Sequence, residues 1–293
     1  MKLNLKTANK SHRVLVFGPS KSGKTELVGK LATRFNLVYV DLENGIDTLL
    51  KLPEDVQARI EVISLPDTRD FPIGIETCLK LIRGGPVRIC ETHGKVNCAI
   101  CTKNPDAEWV QVELNALGLD TIVVFDSLTQ LTNSCIAHIT KGQEELYKLQ
   151  TDDWGNLGKL MDVFLSHVQQ AKFHVVCISH ETEVEMPDGK TKLVATAGTR
   201  NFSRNSAKYF DEVVYCEVKN KVHMAGSSTT YANSILTGSR TNQRLEDFKG
   251  EASLIPIFTG EKPPVNIVTQ KTPATTSVSA LETLKAKMLA KGK

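Results

Sequence analysis

The residues Gly18-Pro-Ser-Lys-Ser-Gly-Lys24-Thr25 satisfy the spacing G-x-x-x-x-G-K-[ST] in full. Glycines at these positions let backbone N–H groups curl around a polyphosphate, and the helix start that follows adds positive potential. Gly18, Pro19, Ser20, Lys21, Ser22 and Gly23 would form the cradle. Lys24 would reach the β- and γ-phosphates, and Thr25 would place its hydroxyl on Mg²⁺. A carboxylate that holds the ion through water is expected at the end of an apolar strand, and Asp126 closes the run Thr121-Ile-Val-Val-Phe-Asp126. Asp126 could also cap the segment after it, although Ser127 can serve as that cap instead. Phosphate hydrolysis needs a group that orients or deprotonates water. In Asp41-Leu-Glu43-Asn-Gly-Ile-Asp47 we assign Glu43 as the base, with Asp41 as its competitor. ATP and Mg²⁺ are the cofactors this chemistry calls for.

A second cluster has metal-ligand spacing. Cys90-x₂-His93-x₄-Cys98-x₂-Cys101 supplies three thiols and an imidazole, the set that Zn²⁺ takes in a closed, structural tetrahedron. Gly84, Gly85 and Gly94 supply corners, so residues 85–105 read as a small zinc-binding insert. The other cysteines, Cys78, Cys135, Cys177 and Cys216, lie in apolar stretches and read as core.

A third group is basic. Arg200, Asn201, Phe202, Arg204 and Lys208 fall in one polar segment read as a loop between strands. Cations can hold phosphates and an aromatic can stack on a base, which is chemistry suited to single-stranded DNA. The same composition also suits a solvated surface loop.

These residues need a frame. Arg13–Phe17, Leu37–Asp41, Ile60–Leu65, Thr121–Asp126 and Phe173–Ser179 are apolar runs of the buried parallel-strand kind. Helical spacing occurs from Thr25, from Gly45 to Leu52, from Ile73 to Arg83 and from Asp153 to Gln170. The alternation predicts an α/β fold with a mostly parallel sheet flanked by helices. After His180 the pattern turns to strands. Glu183–Met186 and Lys192–Ala195 flank the turn Pro187-Asp188-Gly189, and Asp211–Val218 and Thr230–Thr237 follow, with a turn through Gly226. The reading is therefore one domain over 1–262 with a C-terminal β-rich extension. Residues 263–293 read as a flexible basic tail with a short helix at Ala280–Ala290.

The chain has 293 residues and a net charge of +3. Five lysines against one acid leave Val265–Lys293 at +4 and the rest at −1, so any nucleic-acid contact in the body must be local. No 18-residue uncharged apolar stretch is present and the first twelve residues lack an apolar core, so neither membrane span nor export signal is expected. With seven cysteines, an odd number, a reducing cytoplasm is the expected compartment.

The ordered set of segments resembles the RecA-like recombinase ATPases, in particular the short phage-type members linked to single-strand annealing and related to archaeal RadB. The likeness runs from Arg13 to Phe248 through GPSKSGKT, VDLENGID, TIVVFDSLTQL, VVCISHE and the segment Asn205–Phe210. It implies a DNA-dependent ATPase that binds single-stranded DNA and assembles head to tail as a ring or filament, in the host cytoplasm if phage-encoded. Glu43 matches the catalytic glutamate and His180 takes the place of a γ-phosphate sensor, where bacterial RecA has glutamine. Arg200, Asn201, Phe202, Arg204 and Lys208 fall on the second DNA-binding loop. Arg240, with Arg244 in reserve, stands where the family places a cation that reaches the neighbour's ATP. The tail would dock a single-strand-binding protein or another recombination partner. Two other readings stay open: a RecA-like motor, helicase subunit or regulatory ATPase without strand pairing, and a P-loop nucleoside kinase.

Overall fold

The computed structural model describes residues 11–220, 222–227, 234–240, 245 and 251–261, all within the unit Met1–Pro263. The tail helix expected at 280–290, and Arg244, lie outside the described residues. Strands β1 (Arg13–Gly18), β2 (Asn36–Asp41), β3 (Ile60–Ser64), β6 (Thr121–Asp126), β7 (His174–Glu185) and β9 (Glu212–Lys219) build one sheet with β10 (Val222–Gly226) at its edge. The order is β10-β9-β1-β7-β6-β2-β3, parallel from β9 to β3. β8 (Thr191–Ala195) pairs with β7, and β11 (Gly238–Ser239) pairs with β9. A separate two-stranded sheet, β4 (Val87–Cys90) with β5 (Trp109–Val112), carries the cysteine–histidine insert.

Alternate residues of each central strand feed two cores. Leu15, Phe17, Val123 and Phe125 pack under α3 (Gly74–Arg83), α4 (Leu128–Ile139) and α5 (Thr151–Gln170). Val14, Val16, Ile122 and Val124 pack under α1 (Lys24–Gly29), α2 (Glu54–Gln57) and α7 (Ile255–Thr259). Burial on both faces is why these strands read as continuous apolar runs rather than alternating ones. This is the mostly parallel sheet flanked by helices expected from the sequence, with its β-rich C-terminal extension. No helix among the described residues is long and apolar enough to cross a membrane.

Three local expectations change. The basic segment is not a loop: Thr199 Oγ1 accepts the Phe202 N–H and caps α6 (Arg200–Asn205), which a tight turn over Ser206–Tyr209 continues. The reversal after β9 falls at Asn220, whose φ of 52° suits asparagine, so Gly226 ends a strand instead of making the turn. Of the strand expected over 230–237, the described residues 234–237 show only a bridge from Ile235 to Leu193, and the strand pairing falls just beyond it, at β11. Residues 228–233 lie outside them.

At the amino ends of the strands, His12 N–H donates to His174 Nδ1 (3.0 Å) and the two rings stack at 5.6 Å. Burial lowers the His174 pKa to about 4, with His12 and Arg13 acting in the same direction. Because this lies below the unfolded value of about 6.5, protonation favours the unfolded chain. The contribution is fully present above pH about 6.5 and is lost as pH falls towards 4. Thermal unfolding followed from pH 7 to 4.5 should show Tm falling, with a shallower fall in His174→Gln. Equal slopes for the two proteins would assign the acid sensitivity to other groups.

Candidate functional site

Four adjacent parallel strands end at one cleft. In register, Gly18 on β1 lies beside His180 on β7, Asp126 on β6 beside Ile178, and Asp41 on β2 beside Asp126. The phosphate loop, His180, Asp126 and the turn that carries Glu43 therefore meet at the carboxyl edge, where open α/β sheets bind ligands. Ser20 to Thr25, Glu43, Asp126 and His180 line a cleft of about 350 Å³ with Thr48, Lys51 and His223.

Two glycines of the loop are sterically required. Gly18 has φ 154°, and a Cβ there would stand 2.0 Å from the carbonyl oxygen of Cys216 on β9. Gly23 caps α1 in the left-handed region at φ 86°, with the His223 ring against its Cα. Lys24 is 6% exposed, and its Nζ donates to the carbonyls of Gly18 (3.1 Å) and Pro19 (2.7 Å). Burial lowers its pKa, against the raising influence of carboxylates that include Asp126 and Glu43. A buried ammonium whose partners are two neutral carbonyls is a strong site for a phosphate anion.

Thr25 Oγ1 donates to Asp126 Oδ2 (3.0 Å), and the buried Tyr39 hydroxyl donates to the same oxygen. Burial raises the Asp126 carboxyl to about 6, although the hydrogen bonds from Tyr39 and Thr25 favour its ionised form. A hydroxyl and a carboxylate side by side are the hard oxygen donors that Mg²⁺ prefers, so the residues fit that ion. Ser127 Oγ accepts the Gln130 N–H and caps α4, which leaves Asp126 for the cleft.

Glu43 is held by a single oxygen. Ser127 Oγ donates to its Oε1, and His180 Nε2 lies 3.5 Å from the same atom. The pairing with His180 is the largest cause of its lowered pKa, and the Ser127 hydrogen bond acts in the same sense. Asp41 is 2% exposed, and its Oδ1 accepts the N–H groups of Glu43 (3.1 Å) and Gly45 (3.3 Å). The two acids thus divide the work: Asp41 shapes the turn and Glu43 faces the cleft.

The profile of the AAA domain family AAA_24 matches residues 10–251. The chain belongs to this family. The matched stretch holds every cleft residue described above, so the cleft is that of an AAA-domain P-loop ATPase. No curated protein matches the sequence. Among solved structures, the AAA domain is similar to the crystal structure of the RadB recombinase, with 16% identity, 73% of this chain and 79% of that chain covered, and a TM-score of 0.38. It is also similar to a KaiC-like protein from the hyperthermophilic archaeon Pyrococcus horikoshii OT3, with 11% identity, coverage of 73% and 76%, and a TM-score of 0.36.

Other candidate residues of the AAA domain stand apart from the cleft. Arg200 and Asn201 are exposed on α6, and Arg204 Nη1 donates to the Glu185 carbonyl (3.2 Å). Phe202 packs on Tyr209 and the core, so its ring is committed to the fold. Lys208 is exposed, with its ammonium 4.7 Å from the centre of the Tyr209 ring. Arg240 sits at the amino end of β9: it donates to the Lys208 carbonyl (2.8 Å) and lies 3.5 Å from Asp211. Asp211 also pairs with Arg13, so Arg240 belongs to the end of the sheet opposite its own phosphate loop.

Cys90, His93, Cys98 and Cys101 do converge, with ligand atoms all within 4.8 Å of one another. Sequence reasoning missed Tyr39, Ser127 as a partner of Glu43, and His223. Tyr39 left one signal, a hydroxyl in the otherwise apolar run Leu37-Val-Tyr-Val. His223, whose Nδ1 lies 3.0 Å from the Ser22 carbonyl, reaches the loop from an edge strand far away in sequence and left none.

Proposed function

We propose that this AAA domain is an ATP-hydrolysing, single-stranded-DNA-binding recombination protein of the phage-type, single-strand-annealing kind, which works head to tail as a ring or filament. The observation that carries the hydrolytic reading is the placement of Glu43 beside His180, Asp126 and the phosphate loop in one cleft. Water attacks the γ-phosphorus, its proton passes to Glu43, and the bond to the β,γ-bridging oxygen breaks to leave ADP and phosphate. Lys24 exchanges its loop carbonyls for phosphate oxygens as charge develops. His180, 3.5 Å from Glu43, is the proposed γ-phosphate sensor. Mg²⁺, held by Thr25 and Asp126, supplies neutralisation of the β- and γ-oxygens when bound. The β-hairpin of β7 and β8 after His180, and Glu43 just past the end of β2, speak against a P-loop nucleoside kinase.

DNA binding rests on the exposed cations of α6 and the turn after it, and zinc on the convergence of the four insert ligands. A partner for residues 263–293, such as a single-strand-binding protein, rests on composition alone. ATP turnover measured with and without single-stranded DNA is the central test. Stimulation supports the recombination reading, whereas an unchanged rate with no DNA retention removes it. Replacing Arg200, Arg204 and Lys208 by Ala should weaken binding uniformly across sequences. Each lost phosphate contact should lower the slope of log K against log salt by about 0.7. An unaltered slope would move the DNA path elsewhere. Phe202→Ala should chiefly lower Tm, since the ring is packed in the core.

Arg240 is proposed to act on the neighbour's nucleotide. Arg240→Ala protein should bind ATP yet lose DNA-stimulated turnover. Mixed with Glu43→Gln protein, it should regain partial activity, because some junctions pair an intact Arg240 with an intact Glu43. A mixture that co-assembles and stays as inactive as both parents excludes the trans role.

A further inference from the structure

The insert is built around its polar cluster. Cys90, Cys98 and Cys101 are 0%, 1% and 4% exposed and all are free thiols. In their own cluster, among the described residues, their apolar company is the partly buried Ala107 and Trp109, whereas Val87, Ile89, Val96 and Val112 of the same segment pack into the main core. His93 Nδ1 lies 3.8, 3.6 and 3.2 Å from the sulfurs of Cys90, Cys98 and Cys101. A tetrahedral zinc with Zn–S of about 2.3 Å and Zn–N of about 2.0 Å requires N···S separations of about 3.5 Å. The observed spread is centred on that figure.

The cluster is also tied to the cleft. Gly94 follows His93 in the left-handed region at φ 62°, and its N–H donates to the Cys90 carbonyl (2.8 Å). Thr77 Oγ1 on α3 donates to the Gly94 carbonyl (2.9 Å). A Cβ on Gly94 would stand 2.9 Å from the Ser64 carbonyl oxygen, 3.0 Å from Leu65 Cδ2 and 3.1 Å from Pro66 Cδ, so the knuckle backbone is pressed on the end of β3. Phe71, beyond that strand, meets the His93 ring edge-on at 6.2 Å, and Lys95 lies over Phe71 at 5.3 Å. Leu65 N–H then donates to the Asp41 carbonyl (2.9 Å), and Asp41 shapes the turn that carries Glu43.

We propose that a zinc ion bound by Cys90 Sγ, His93 Nδ1, Cys98 Sγ and Cys101 Sγ braces the carboxyl end of β3 and, through Leu65 and Asp41, positions Glu43. This rests on the zinc reading of the insert given above. Coordination deprotonates the thiols and fixes His93, and His93 fixes Gly94 against Ser64–Pro66. The metal then acts on turnover without touching nucleotide, and His93 is a positioning residue.

The test uses full-length protein purified under reducing conditions. Metal analysis should find about one zinc per chain, and Co²⁺ exchanged into the site should show thiolate charge-transfer absorption. Absence of zinc with no Co²⁺ uptake, or an iron–sulfur chromophore, overturns the zinc reading itself. Hydrogen exchange then tests the brace. Removing zinc should speed exchange at the amides of Leu65, Glu43 and Gly45 at least tenfold while β1 and β6 stay protected. The kcat should fall at unchanged affinity for a fluorescent ADP analogue. If zinc is present and its removal leaves those amides and kcat as they were, the ion serves only its own insert and the brace is wrong. Gly94→Ala keeps all four ligands and decides the matter should stripping unfold the chain. It should retain zinc and still loosen the same amides, and unchanged protection in that variant overturns the proposal.

Discussion

Glu43→Gln protein is expected to bind ATP with unaltered affinity and to turn it over about 10²- to 10⁴-fold more slowly, the range that a positioned general base contributes. The amide keeps the shape of the carboxylate and an oxygen to accept the Ser127 hydroxyl, so the cleft should stay assembled. What it lacks is a lone pair basic enough to take the proton of water. Lys24→Ala should fail earlier, at binding, because the buried cation between the Gly18 and Pro19 carbonyls is gone. Single-turnover hydrolysis with equilibrium nucleotide binding separates the two outcomes. Wild-type turnover by Glu43→Gln would place the base elsewhere. Asp41 would then be a poor substitute, since it is buried away from the cleft water and two backbone N–H groups occupy its Oδ1.

The largest expected effect on the fold comes from Gly18→Ala. A methyl carbon 2.0 Å from the Cys216 carbonyl oxygen cannot be accommodated by a rotamer change, because both partners are backbone. β9 would have to leave β1 at the phosphate loop, through the register that pairs Phe17 with Tyr215. We expect a loss at the exceptional end of single substitutions, about 4 kcal/mol or more, together with loss of nucleotide binding. Gly45→Ala is the matched control. That position has φ −97°, an added methyl group would meet nothing within 4 Å, and the N–H is retained. It should stay within about 0.5 kcal/mol of the parent. Denaturant unfolding of the two variants side by side makes the comparison. Equal stability would mean that β9 yields at little cost.

The parts of the site that follow a local rule are legible in the chain. Gly18 to Thr25 and the strand ending at Asp126 are contiguous, and their chemistry depends on spacing alone. Cys90 to Cys101 are legible for the same reason. The partners that hold these groups are not. Tyr39, Ser127 and His223 reach the cleft through strand order and register, which no local pattern encodes. The basic segment shows the opposite error, in which one local signal hides another. Arg200, Arg204 and Lys208 are spaced by four, which is helical, and Thr199 is a good cap, yet the density of polar residues suggests a loop. Gly226 draws the turn away from Asn220 because glycine is the commoner turn residue, although asparagine also tolerates a positive φ.

The grip on Glu43 divides one carboxylate into two instruments. Oε1, facing Ser127 and His180, sets direction, and Oε2 has no hydrogen-bond partner among the described residues. Such a group can take a proton with its spare oxygen without first letting go of anything, so no rearrangement of the base need precede the chemical step. The compromise is strength. The contacts that aim the carboxylate also lower its pKa, making it a weaker base that stays ionised further into acid. The ionisation of Glu43 should therefore not limit turnover between neutrality and the carboxylate range, and a fall in that window would belong to Asp126, whose carboxyl is raised to about 6.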